Sequence, residues 1–425
     1  MSHPQAAGDS HFRGSTSGSR RPSARGPFAA LRHRNFRLFF SGHVLTLSGG
    51  WLQSTALGWL VLELTDSPFW LGLVSASGSL PILLFSLFAG VVADHHDKRK
   101  ILLLAQGVAC IQAILLATLT YFGRISLFSI LTLALVLGIA SSFEVPTRQS
   151  FFSELVGPGD LPNAIALNSM AFNGTRMVAP AIAGSLIGSV GIAVCFFANA
   201  ISYLAAFAGL LAIRRNPPHP EPATRSTLGE IREGLQWIRH DIVTRTSVLY
   251  IALASILVFP FTVLLPVFAR DLLHIGAGGL GWLYAATGVG ALLGGLAMTT
   301  AANRFPRGRI LVFSGSGFSI FVALFALSTP VWMALLFLSA AGFCMILSTA
   351  SANSLVQERV PDQLRGRVMA VYVVMFLGMT PVGSVIAGTA AGIFSPRISL
   401  AVTAMLMLTL MLTVIRRSEA LRGAA

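Results

Sequence analysis

The sequence predicts an all-α membrane protein, with twelve transmembrane helices in two pseudo-symmetric six-helix bundles. Three observations predict it. Apolar residues make up 54% of the 425-residue chain and charged residues only 11%, where a soluble domain carries about 25% charged residues. Twelve apolar stretches follow one another along the chain. The basic residues gather in alternate connections between those stretches.

The first 27 residues are rich in Ser, Gly and Arg. They hold no apolar run followed by a small-residue cleavage site, so they read as a disordered cytoplasmic tail, extending to residue 35, and not as a secretory signal. A membrane helix needs about 20 mostly apolar residues. The first six candidates cover 37–61, 69–93, 101–122, 126–146, 164–187 and 190–213, within an N-terminal half of 36–213. The second six cover 244–268, 279–302, 310–328, 331–353, 368–392 and 398–415, within a C-terminal half of 244–415. Residues 416–425 form a short tail. Many of the stretches contain Gly and Pro, which membrane bundles tolerate because neighbouring groups satisfy the freed backbone.

Between the halves, 214–243 is a linker. Pro217-Pro218-His219-Pro220-Glu221-Pro222 is a stiff extended spacer. Thr227-Leu228-Gly229-Glu230 matches a capping box, and Leu228, Ile231, Leu235 and Ile238 recur at helical spacing. Two placements of this amphipathic helix stand open, on the membrane surface or packed beneath the bundle.

Orientation follows from the basic residues. With the N-terminus cytoplasmic, 26 of the 30 Lys and Arg fall on the cytoplasmic side, Arg124, Arg270 and Arg397 on the other, and Arg176 within a helix. An odd number of spans would scramble this positive-inside pattern. The expected location is the inner membrane, with both termini cytoplasmic. The net charge of +14 is spread over these short clusters and forms no continuous basic face, so nucleic acid is not an expected partner. Cys110, Cys195 and Cys344 sit in separate apolar runs, so neither a disulfide nor a metal site is expected.

The halves repeat. Leu71-Gly72-Leu73-Val74-Ser75-Ala76 aligns with Leu280-Gly281-Trp282-Leu283-Tyr284-Ala285 at an offset of 209. Without a gap, Asp94 then falls opposite Asn303, Lys98 opposite Arg307 and Lys100 opposite Arg309. Ser153-Glu154-Leu155-Val156-Gly157-Pro158 resembles Val356-Gln357-Glu358-Arg359-Val360-Pro361 with small shifts. Two parallel repeats imply a site at their interface and transport by rocking of one half on the other.

Several segments resemble the major facilitator superfamily. Gly90-Val91-Val92-Ala93-Asp94-His95-His96-Asp97-Lys98-Arg99-Lys100 is similar to its loop motif between helices two and three. Phe143-Glu144-Val145-Pro146-Thr147-Arg148-Gln149, Leu161-Pro162-Asn163-Ala164-Ile165-Ala166-Leu167-Asn168-Ser169 and Arg176-Met177-Val178-Ala179-Pro180 resemble the branch of the enterobactin exporter and drug:proton antiporters. Arg365-Gly366-Arg367-Val368-Met369-Ala370 fits the equivalent second-half loop. The chain departs from the family at Ala179, where Gly is common, at His95, where a basic residue is usual, and at Asn303 in place of Asp. The resemblance implies a secondary transporter that exports a small amphipathic molecule, a siderophore or drug-like compound, in exchange for protons. A proton-coupled importer of the same fold is the alternative, and a polytopic enzyme or sensor a more remote one. The implied partners are the substrate, protons and the bilayer, with no cofactor and a monomeric state.

Four groups of residues are candidates for the site. Gly90, where two helices would approach closely, Asp94, Lys98, Arg99 and Lys100 form a gating loop or a solvated turn that only sets topology. Arg176, about mid-membrane, needs an anion, a carbonyl or a structural polar contact, because a bare charge there is costly. Glu144, one turn from Arg148, is either a proton carrier or one end of a salt bridge to Arg148 or Arg176. In this family the cavity lies between helices one, four, seven and ten, which offers His43, Trp51, Gln53 and Asn353 as lining, alongside Ser54, Thr55, Ser348, Thr349, Trp59, Phe259 and Phe261. Glu63 and Asp66, at the outer end of helix one, read as solvated. No Gly-Lys dipeptide occurs, so no phosphate loop and no use of ATP is expected.

Reporter fusions test the orientation. A fluorescent protein fused after Ala425 or Pro220 should light up, while periplasmic alkaline phosphatase should be active only when inserted at Arg124 or Arg397. The reverse pattern would invert the topology.

Overall fold

A computed structural model describes residues 28–213 and 227–417. Of the expected tails 1–35 and 416–425, residues 1–27 and 418–425 lie outside the described residues, as do the Pro-rich spacer at 217–222 and the side chains of Asp94, Asn303 and Thr227–Glu230. The described part of the first tail is ordered: Ala29–Arg32 form a short 3-10 helix with Ala29 and Ala30 buried, and Ala30 N donates to Asn163 Oδ1 (2.9 Å).

Everything regular is helical. The N-terminal half holds α1 (Arg34–Thr65), α2 (Pro68–His95), α3 (Lys98–Tyr121), α4 (Leu127–Ser189) and α5 (Ile192–Leu211). The linker helix is α6 (Thr227–His240). The C-terminal half holds α7 (Ile242–Leu257), α8 (Phe261–Val267), α9 (Gly276–Arg304), α10 (Arg307–Leu327), α11 (Val331–Arg359), α12 (Asp362–Leu377), α13 (Thr380–Ile393) and α14 (Pro396–Arg417).

Among the described residues ten segments are long and apolar enough to cross a membrane. The expected spans 37–61 and 164–187 are helical but not among them. The reason is composition. The first carries His43, Thr46, Ser48, Gln53, Ser54 and Thr55, and the second Asn168, Ser169, Asn173, Thr175 and Arg176. These two helices carry much of the polar interior.

Four expected helices are broken or joined differently. The spans at 126–146 and 164–187 become one 63-residue element, α4, because the connection between them also winds into helix. Its break is Gly157, at φ 70°, a conformation that glycine alone adopts freely, followed by Pro158. The span at 244–268 splits at Val258–Pro260, and ends in one π-helical turn, Phe268–Leu272. The span at 368–392 splits at Gly378–Met379. The freed backbone finds partners nearby. Ser255 Oγ donates to Phe376 O (2.9 Å), and Tyr284 Oη donates to Thr262 O (3.0 Å).

The linker helix packs beneath the bundle. Glu233 pairs with Arg367 on α12, Ile238 is buried, and a Cβ on Gly234 would come within 3.1 Å of the Arg367 backbone.

The repeat extends to ion pairs. Lys98 at the start of α3 pairs with Glu154 on α4, and Arg307 at the start of α10 pairs with Glu358 on α11. The internal alignment sets Lys98 opposite Arg307, and Glu154 within one position of Glu358.

The two halves meet along a seam that closes at one end only. We call the end where α1 begins the terminal end, and the opposite one the far end. At the far end a Cβ on Gly388 would lie 2.7 Å from Pro68 O, and one on Gly281 2.6 Å from Pro180 O. Ser75 and Ser384 are hydrogen-bonded across the seam (3.2 Å). Arg270, in the π turn, reaches across to Asp66 (2.8 Å) and to Leu62 O (2.9 Å). Asp66 is therefore ion-paired as well as exposed, and not merely solvated. Further toward the terminal end, Gly288 still sits against Met177, with a Cβ there 2.6 Å from Met177 Cα. Beyond it, Gly174, one turn from Met177, and Gly295, two turns from Gly288, lie on the same helix faces, yet a Cβ on either would meet nothing within 4 Å. The same holds at Gly90 on α2. The halves have spread there, so the close approach expected at Gly90 is not present in this conformation.

Gly281→Leu should drive the far end apart, since overpacking at a tight contact costs about 1–3 kcal/mol. In a chain with Cys110, Cys195 and Cys344 replaced by Ala, a cysteine at Ala277 should react several-fold faster with an impermeant maleimide when Gly281 is Leu. Equal rates would mean that close packing does not hold the seam.

Candidate functional site

Two constellations of polar side chains occupy the interior, one inside the N-terminal half and one on the seam. The first is built on α1, α3, α4 and α5. It surrounds a cavity of about 120 Å³, whose wall includes His43, Gln106, Glu144, Arg148 and Tyr203. Glu144 and Arg148 lie one turn apart on α4, a spacing that brings side chains together on a helix. Arg148 Nε donates to Glu144 Oε1 at 2.7 Å, and both side chains are largely covered. Arg148 also reaches α1, with Nη1 3.3 Å from His43 Nε2. On its other side His43 Nε2 lies 3.0 Å from Asn168 Oδ1, on the second limb of α4.

That imidazole nitrogen faces a cation donor and an amide oxygen at once. It accepts from Arg148 when its ring proton sits on Nδ1, and donates to Asn168 when the proton sits on Nε2. One proton position therefore decides which of two contacts is made. Gln106 presents to the same cavity a buried carbonyl oxygen without a hydrogen-bond partner among the described residues.

Deeper in the same half is a neutral chain. Asn199 Nδ2 donates to Gln53 Oε1 (2.9 Å), Gln53 Nε2 to Gln112 Oε1 (3.3 Å), and Ser202 Oγ to Asn199 Oδ1 (3.0 Å). All four residues are buried. Gln53 thus faces the packing of its own half and not the seam. Gln106, Gln112, Asn199 and Tyr203 are not among the candidates that the sequence singles out. Their signal was available, since each is a polar side chain inside a long apolar run, where a polar group needs a partner.

The second constellation centres on Arg176, near the middle of the second limb of α4. Its guanidinium stands over the Trp51 ring at 5.9 Å, and Nη2 is 3.7 Å from Met345 Sδ on α11. Trp51 also meets Phe172 edge-on, at 6.1 Å between centroids. Arg176 and Glu144 are thus not partners, and the salt bridge that forms is the one to Arg148.

The remaining candidates sit at the terminal end, apart from Trp59 and Glu63 near the far end of α1. Lys98 is taken by Glu154. Arg99 caps α5, its Nε donating to Leu210 O (2.8 Å) and Nη2 to Leu211 O (2.7 Å), the favourable placement of a cation at a helix C-terminus. Lys100 is exposed. Asn353, half-buried on α11, accepts from Gln357. Trp59 Nε1 donates to Glu63 Oε1 (2.5 Å). Among the described residues no group of three His, Cys, Asp or Glu side chains is placed to hold a metal ion.

A helical bundle with this internal repeat and one-sided opening has the major facilitator fold. A profile described as transmembrane secretion effector matches residues 25–422, and the chain belongs to that family. It is 26% identical over 361 residues to the staphyloferrin A transporter of Staphylococcus aureus, covering 84% of this chain and 90% of that one. It is 23% identical over 372 residues to the multidrug efflux pump Tap of Mycolicibacterium fortuitum (85% and 90% covered). To the enterobactin exporter EntS of Salmonella typhimurium it is 25% identical over 374 residues (87% and 89% covered). The fold is that of a bacterial homologue of the lysosomal transporter Spinster in an inward-facing conformation, with TM-score 0.73, 14% identity and 92% and 98% of the chains covered. An inward-facing bacterial homologue of ferroportin is similar too, at TM-score 0.71 and 14% identity, with 92% and 99% covered.

A double-mutant cycle tests the Glu144–Arg148 pair. Removing one partner of a buried pair costs about 3–5 kcal/mol, because the other charge is left without compensation. Thermal unfolding should therefore show Glu144→Gln less stable than Glu144→Gln/Arg148→Gln. Additive single effects would show that the pair contributes nothing.

Proposed function

We propose that this chain is a proton-driven exporter of a small amphipathic molecule, siderophore or drug-like, working by alternating access across the inner membrane with twelve spans and both termini in the cytoplasm. On that orientation the terminal end is cytoplasmic, and the conformation described is the inward-facing one. The observation that carries the proposal is the Glu144–Arg148–His43 cluster on an internal cavity of the N-terminal half, apart from the seam through which a substrate would pass.

The chemistry is simple. A proton taken up by Glu144 neutralises the carboxylate and cancels its pairing with Arg148. Arg148 then needs another acceptor, and His43 Nε2 stands 3.3 Å away. Engaging His43 in that way releases its bond to Asn168, and with it one link between α1 and the second limb of α4. Release of the proton on the cytoplasmic side restores the pair. Export as the direction rests on relatives named as an exporter and an efflux pump. The closed far end fits a protein waiting to load substrate from the cytoplasm. Gly90, Asp94 and the neighbouring basic residues would form the contacts that close the terminal end in the opposite state.

Inside-out vesicles with an imposed proton gradient, acidic inside, test this. With a panel of siderophores and amphipathic drugs, the native chain should accumulate at least one compound in a gradient-dependent way, and Glu144→Gln should reduce that uptake by roughly 10-fold or more. Gradient-dependent uptake that survives the substitution would remove Glu144 from coupling. Uptake only in right-side-out vesicles would make the chain an importer.

A further inference from the structure

Arg176 is a permanent cation placed near the middle of the membrane with no anion to balance it. Among the described residues no carboxylate lies within ion-pair distance. Its neighbours are the Trp51 face and the Met345 thioether, both weak partners for a guanidinium. The titratable group that acts on it electrostatically is Tyr284, and that hydroxyl is already committed to Thr262 O at 3.0 Å. Five hydrogen-bond donors in a planar fork are thus almost unused. A cation inside a bilayer is retained only where something pairs with it, and the described residues place only the Trp51 face and the Met345 thioether beside this one.

The surroundings say what the missing partner resembles. Arg176 is only half-buried, and so is Trp51, while Phe172 is 43% exposed. A Cβ on Gly50, beside Trp51, or on Gly174, beside the Arg176 turn, would meet nothing within 4 Å. The guanidinium therefore borders the open part of the seam. Beside it stand two aromatic rings, and its contacts come from both halves: α1 and α4 on one side, α9 and α11 on the other.

We propose that Arg176 is the substrate-anchoring residue, and that the exported molecule is an anion, a carboxylate or comparable oxyanion, whose apolar or aromatic part lies against Trp51 and Phe172. This rests on the exporter reading and adds the charge of its substrate. The fork of the guanidinium binds the oxyanion in two parallel hydrogen bonds. Because Met345 and Tyr284 belong to the opposite half, a ligand held there touches both bundles at once, as alternating access requires.

The test is binding, which needs neither a gradient nor a direction. Purified full-length chain in detergent is titrated with a panel of amphipathic aromatic carboxylates, 2-naphthoate among them, each beside its methyl ester, and with sodium chloride. Native chain should bind carboxylates roughly 10-fold or more tighter than their esters, since a hydrogen bond to a charged group is worth about that much. Arg176→Gln should abolish this preference, and Arg176→Lys should keep part of it. Should the Gln variant fail to fold, Trp51→Leu serves. It should keep the preference for charge but weaken aromatic carboxylates several-fold relative to aliphatic ones. No preference for the carboxylates in native chain, whether neither form binds or both bind alike, overturns the proposal. So does a preference that survives Arg176→Gln, or chloride competing as well as the carboxylates, which would make the site one for any free anion. Anion binding without transport in either direction would sink the exporter reading and leave this site standing. Gradient-driven export of neutral compounds alone would do the opposite.

Discussion

In a bilayer no water is available to the backbone, so every peptide group must be satisfied from within the protein. The rest of this structure follows from that constraint. It leaves only helices, and it makes each break in a helix an event that needs a named partner. At the split between α7 and α8 and at the split between α12 and α13, the partners are shared. Ser255 on α7 serves Phe376 O at the end of α12, and the Phe259 ring packs edge-on against Phe376 at 5.6 Å. Two weak points are therefore placed back to back, and the C-terminal half can bend there without exposing polar backbone to lipid. Glycine does the converse work on the seam. Where α2 meets α13 and α4 meets α9, backbones touch closely enough that helices associate by packing alone, which suits a membrane that offers no hydrophobic drive.

The halves share a plan but not a chemistry. Lys98–Glu154 and Arg307–Glu358 occupy equivalent corners and keep the repeat visible in three dimensions. Inside, the symmetry is gone. The N-terminal half encloses Glu144, Arg148, His43, Asn168 and the Gln53–Gln112–Asn199–Ser202 chain. The corresponding core of the other half is built from rings, with Phe259 and Phe261 against Phe318, and Phe268 against Phe325. Titratable chemistry in one bundle and a packed, jointed partner in the other is a division of labour that a rocking motion can use.

Much of this was legible in the sequence for a physical reason. Hydropathy, loop charge and an ungapped repeat all report on the bilayer, the one environment that acts on the whole chain. The connections were less legible. Residues 147–163 look like a loop because they carry charge and Pro, yet they continue as helix, interrupted at Gly157 where the backbone turns left-handed. Gly90 looks like a close contact, and in this state it is an open one, because a sequence does not say which of two conformations is populated. Its helix places Gln53 among the cavity candidates. Its direction was fixed by Gln112 and Asn199, 59 and 146 residues away, and no local pattern encodes such distances.

The two charged constellations are not independent. His43 meets Asn168, and Trp51 meets Arg176. Each pair joins α1 to the second limb of α4, and the second pair lies eight residues further along both helices than the first. The helices therefore run in parallel and in register, with the contacts about 12 Å apart at 1.5 Å per residue. On the proposed mechanism, a proton that moved Arg148 onto His43 would loosen the first contact. Two adjoining helix turns are stiff, so a shift of α1 at His43 would be carried to Trp51, the platform under Arg176. Coupling of this kind needs a discrete two-state element, and the single nitrogen of His43, able to serve Arg148 or Asn168 but not both, is one. On the proposed mechanism the link between proton and substrate is a helix pair rather than a shared residue, so Glu144 would act on the seam from a distance.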